Sequence, residues 1–143
     1  MAGYKGATFD NDLLKLIFNA TAIANIADNA AASPLTNLYV ALHTADPTSS
    51  GTQSTSEATY TSYARVTVAR TAGGWTVSTN TVVPAATIAF PACTGSTNTI
   101  THWSVAVASG ASKILYAGPV TPNISVSTGV TPQLTTASTI TEA

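Results

Sequence analysis

The sequence predicts a mainly β protein, a jelly-roll-like β-sandwich of about eight strands with a short N-terminal helical segment. Three observations predict it. From Leu38 onward, apolar residues recur with period two in short runs rich in Val, Ile, Thr and aromatics. Turn residues punctuate these runs at Gly73-Gly74, Pro91, Gly95-Ser96, Ser109-Gly110, Pro119, Pro122, Gly129 and Pro132, a spacing of roughly 8–12 residues. A helical period occurs only near the N-terminus, so the strand–helix alternation of a βαβ protein is missing.

Residues 1–9 read as an extended arm, with Gly3 and Gly6 and no periodicity. Tyr4 and Lys5 in this arm are candidate contacts to a neighbouring subunit. Residues 10–32 read as the helical segment. Asp10 can cap it, Asp12 suits the positive end of the helix dipole, and Phe9 can staple onto Leu14. Leu13, Leu14, Ile17 and Phe18 share one face, and an Ala-rich continuation runs past Ile23 and Ile26 until Ser33-Pro34 ends it. Residues 35–120 hold the sandwich core. Its runs are "LYVALH", "YARVTVART", "GWTVS", "TVVPAATIAF", "TITHWSVAVA" and "KILYAGPV". Residues 121–143, "TPNISVSTGVTPQLTTASTITEA", form a C-terminal strand or tail. A Thr-rich extended segment of this kind is good material for strand addition to a neighbour, which makes Val126, Val130 and Leu134 candidate interaction residues.

At 143 residues the chain suits one domain with one core. Hydrophobic residues make up 45% of it and charged residues only 8%, against about a quarter in ordinary globular proteins. Ser and Thr, 40 residues together, take the place of charge. Soluble monomers normally carry mixed surface charge, and a net charge of −1 favours association. Composition alone leaves two readings open: a surface covered by other protein, or a Thr-rich β protein that tolerates low charge. Lys5, Lys15, Arg65, Arg70 and Lys113 are too scattered for a phosphate-tracking patch, which argues against nucleic acid. "MAGYKGATFDND" lacks the apolar stretch of a signal peptide, and the longest uncharged stretches are too polar for a membrane span, so cytoplasmic synthesis is expected.

The chemistry worth weighing begins in "LYVALHTADPTSSG". His43 and Asp46 could take part in acid–base or metal chemistry only with partners such as His102 brought close by the fold. The simpler reading is a structural turn built by His43, Asp46 and Pro47. Proline fixes φ there, and the Asp carboxylate accepts from a backbone N–H further on. Cys93 has no neighbouring charge to lower its pKa and reads as a small buried hydrophobe; a single cysteine also excludes an internal disulfide. Trp75, behind two glycines, reads either as a core residue or as an exposed anchor for a partner. No nucleophile-elbow motif, phosphate-cradling glycine loop or catalytic carboxylate pair occurs. No catalytic residue, metal or cofactor is expected.

"LYVALHTADP", the following Gly/Ser/Thr/Glu loop that ends at Tyr63-Ala64-Arg65, the Trp75 strand, "ITHWSVAVAS" and "KILYAGPV" together resemble a group of small bacteriophage structural proteins. Members are described as capsid cement or decoration proteins, and sometimes as tail-fibre-like. The resemblance covers about residues 9 to 120. It implies a non-enzymatic cement protein on the capsid exterior of the virion, bound across the major capsid protein and to itself as a dimer or trimer. The alternative it implies is a tail-fibre or tail-tip protein that binds a host receptor or glycan through loops such as Thr48–Tyr60.

Overall fold

The computed structural model describes residues 7–23, 35–110 and 113–142. Among them the alternating runs become nine strands and the helical period becomes one helix, so the chain is mainly β. The strands are β1 (Asn37–His43), β2 (Val66–Ala69), β3 (Trp75–Ser78), β4 (Thr81–Pro84), β5 (Ile88–Ala89), β6 (Asn98–Ala106), β7 (Ile114–Val126), β8 (Gln133–Leu134) and β9 (Ile140–Thr141). The expected arm with Tyr4 and Lys5, and the helical continuation around Ile26, lie outside the described residues.

Helix α1 covers Ala7–Asn19, so Asp10 sits in its first turn and does not cap it. A carboxylate there is favoured by the helix dipole. Phe9 is also inside the helix, whereas a staple needs a residue ahead of the cap; it is instead 41% exposed. Leu14 and Phe18 lie on one face and are fully buried. The helix stops where Ala20 turns left-handed, at φ 53°, short of the expected end at residue 32. Arg70 holds that end: its Nε donates to Ile17 O at 2.6 Å and its Nη2 to Leu16 O, carbonyls that a last turn leaves orphaned.

Strands β2, β1, β6 and β7, in that order, form a four-stranded antiparallel sheet. A three-stranded sheet, β3-β4-β9, and a two-stranded one, β5-β8, complete the set. Leu38, Val40 and Leu42 of β1 enter a core shared with Trp75, Val82, Phe90, Ile100 and Trp103. Phe18 meets Trp75 edge-to-face, with ring centroids 4.8 Å apart. Trp75 is therefore a core residue with no exposure, and the expectation that it anchors a partner is corrected. The chain enters β3 through a tight turn in which Trp75 N–H donates to Thr71 O. A Cβ on Gly74 would stand 2.1 Å from Ala69 O, so only glycine fits there.

The C-terminal part is woven into the body. β7 runs unbroken through residue 120, pairs with β6, and tolerates Pro119 and Pro122 because it is an edge strand with a bulge. β8 pairs with β5, and β9 pairs with β4. Val126 and Leu134 are each 2% exposed, so they are core residues here and not free contacts for a neighbour. Val130 is half-buried, and its carbonyl accepts from Cys93 N–H at 2.9 Å.

Candidate functional site

Two places combine polar groups in unusual ways: the covered face of β1, and a groove beside β7. The first contains a serine and a histidine at bonding distance. Antiparallel pairing sets Ala41 opposite Ser104 and His43 opposite His102, so Ser104 and His43 share one face of the sheet. His43 Nδ1 lies 2.9 Å from Thr55 O, and its Nε2 lies 2.7 Å from Ser104 Oγ. A carbonyl can only accept, so Nδ1 carries the proton and Nε2 accepts from the serine hydroxyl. Burial pushes the imidazole pKa below its ordinary value, which keeps the ring neutral.

This pair has the distance of a nucleophile and its base, but it lacks an approach for substrate. His43, Ser104 and the neighbouring Gln53 all have zero exposure. Both imidazole nitrogens are engaged by protein, which leaves no lone pair for a metal. His102 sits opposite, yet its Nδ1 pairs with Thr101 Oγ1 at 2.9 Å, and the Asp46 carboxylate turns elsewhere. Among the described residues, no three His, Cys, Asp or Glu side chains converge on a common point.

The cover over this face is the loop of residues 44–65, and Arg65 is its clasp. The guanidinium meets Glu57 with two bonds, Nε to Oε1 at 2.6 Å and Nη2 to Oε2 at 2.8 Å. It also donates to Ser54 Oγ, Gln53 Oε1 and the carbonyls of Ser109 and Gly110. Gln53 in turn donates to Tyr39 O at 2.8 Å. The Tyr63 hydroxyl accepts from Leu42 N–H and donates to Glu57 Oε1, both at 3.0 Å. Burial pushes that phenol well above the usual tyrosine range, so it stays a donor. The Tyr63-Ala64-Arg65 signature is thus an anchor that ties the loop to the sheet. Gln53 and Glu57, its partners, and Ser104, which bonds His43, carry no sequence pattern that singles them out.

Within the loop, Asp46 Oδ1 accepts from Thr48 N–H at 2.8 Å, the geometry of an Asx turn beside the buried Pro47. A Cβ on Gly51 would stand 1.9 Å from Pro47 O, which accounts for glycine at the loop tip. Tyr60 is 2% exposed, its hydroxyl donates to Pro91 O at 2.9 Å, and its backbone N–H reaches Asn98 Oδ1 at 2.8 Å. Cys93 is buried, and its thiol donates to Gly95 O at 3.1 Å.

The second place is open. The register of β6 against β7 steps from His102↔Pro119 to Ile100↔Ile124, so residues 120–123 bulge out of the ladder. The bulge and the segment 133–139 enclose a groove of about 660 Å³ whose lining includes Trp103. None of its lining side chains is charged.

Among the described residues, Arg65, Glu57 and Arg70 are turned to internal bracing and the Ser104–His43 pair is shut away from solvent, the make-up of a structural module. The family model of the Podophage GP4 fiber I protein gp80 matches residues 8–141. The chain belongs to this family and is a bacteriophage virion structural protein. No curated protein matches it. No helix among the described residues is long and apolar enough to cross a membrane.

Proposed function

We propose that the chain is a non-catalytic module of a virion fibre, held by contacts with further copies of itself and with other virion proteins. The observation that carries this reading is the match of nearly the whole chain to a family whose description names a fibre protein. The fold is consistent with such a role. Its long loop is clasped at Arg65, its C-terminal strands are paired into the body, and a sparsely charged exterior can be covered by protein without stripping water from ions.

A second reading, cement or decoration of the head across the major capsid protein, draws on the same low charge. Copy number and position separate the two. In purified particles, quantitative mass spectrometry against the major capsid protein, with antibody labelling seen by electron microscopy, should find a few copies per particle located on fibres. Hundreds of copies spread over the head would overturn the fibre reading in favour of cement.

A further inference from the structure

We propose that the groove beside the β7 bulge is a binding site for a neutral saccharide. The inference rests on the fibre reading for a glycan as partner, and on the groove's own chemistry for the place and the neutral character of the ligand. Half of the fourteen lining residues carry a hydroxyl or amide side chain and the other half are apolar, and none carries a charge. That mixture suits a sugar ring, which presents C–H surface on its faces and hydroxyls around its edge.

The polar groups are also available. The side chains of Thr121, Asn123, Ser125, Gln133 and Ser138 make no hydrogen bond to any described residue. Two amides and three hydroxyls therefore offer both donors and acceptors to whatever enters. Val120 and Ile124, both half-buried, line the same groove and supply the apolar part. The volume of about 660 Å³ falls within the range of small-ligand sites.

Other ligand classes fit less well. An anion or a cation would find no counter-charge in the lining. An extended peptide would have to add to the edge of β7, but here the ladder is broken by the bulge, and Pro119 and Pro122 each lack an N–H to donate. A neutral polyol needs neither charge nor a continuous backbone edge.

The test uses the full chain, fluorescently labelled, on an array of neutral glycans, sialylated and sulfated glycans, and extended peptides. Retention on one or more neutral glycans is expected, with none on the anionic set or the peptides. The double variant N123A/Q133A, altered at two exposed positions, should bind the retained glycan about tenfold more weakly or worse. A second variant, Thr121→Trp, should abolish binding by filling the groove. The inference is overturned by absence of any neutral glycan hit, by preference for anionic glycans or peptides, or by unchanged binding in folded variants. None of these results would move the chain from fibre to head, which the copy count decides separately.

Discussion

Replacing Leu134 with Ala tests whether the C-terminal segment belongs to this domain's core or reaches for a neighbour. Leu134 is 2% exposed, and β8 is held to β5 through the pairs Ile88↔Leu134 and Ala89↔Gln133. The substitution removes three carbons, each worth about 0.8 kcal/mol of transfer free energy. The cavity left behind raises the expected loss to about 3 kcal/mol, inside the usual range for such changes. Against a typical domain stability of about 5–15 kcal/mol that is a large fraction. Urea denaturation of the isolated chain, followed by the fluorescence of Trp75 and Trp103, should show the midpoint falling by about 1.5 M. Gln133→Ala, on the exposed side of the same strand, should change stability by less than about 0.5 kcal/mol. Deleting residues 131–143 removes both Leu134 and Ile140 along with two strand pairings, and should leave the chain barely folded. A Leu134→Ala chain with an unchanged midpoint that nonetheless fails to join particles would refute the reasoning. It would mean that the segment docks on a neighbour.

Two further perturbations address the covered face of β1. Arg65→Lys keeps the charge but loses the forked pair with Glu57, whose side chain is only 18% exposed, so a loss of about 2–3 kcal/mol is expected in the same urea experiment. Limited proteolysis should then cut within residues 44–64, and a loop as resistant as wild type would contradict the clasp. His43 supplies a pH dependence. Its pKa is lowered on folding by burial, so between its folded value and about 6.5 the unfolded chain binds more protons. Stability from this residue is therefore complete above about pH 6.5 and declines as pH falls below it, by at most about 1.4 kcal/mol per pH unit. His43→Gln should flatten that slope, and identical slopes in the two proteins would remove His43 as its source.

Where contacts are local, the sequence announces them. Asp46 and Pro47 build their turn from neighbours within two residues, and the helix face of Leu14 and Phe18 follows from the period alone. The strands were legible as runs, but their limits were not. "TVVPAATIAF" splits into β4 and β5, while "KILYAGPV" fuses with the start of the C-terminal segment into β7 across two prolines. Proline breaks a strand whose N–H is needed by a partner, and whether it is needed depends on which strand lies at an edge. The β8 and β9 pairings involve two residues each, too few to display a period. The Ser104–His43 bond joins residues 61 positions apart, and the Arg65–Glu57 clasp depends on the loop folding back. Both are products of topology, so no local pattern could carry them.

The low charge of the chain takes on a more specific meaning once these contacts are known. Sparse charge in the sequence suggests a neutral surface; the structure adds that part of the charge present is withdrawn from it. Arg65 and Glu57 neutralise one another over the face of β1, with side chains 10% and 18% exposed, and Arg70 turns to the carbonyls at the end of α1. Each of these groups ties a segment to the body by polar bonds, a loop in one case and a helix end in the other. A module assembled into a particle has to keep its shape under contact from several sides and leave a surface that other proteins can cover. Directing charge inward serves both needs, since the same guanidinium that braces the loop no longer has to be desolvated at an interface. On this argument a charge-reversing change at Glu57 should damage the fold before it damages assembly, whereas charge added at an exposed threonine such as Thr67 should do the opposite.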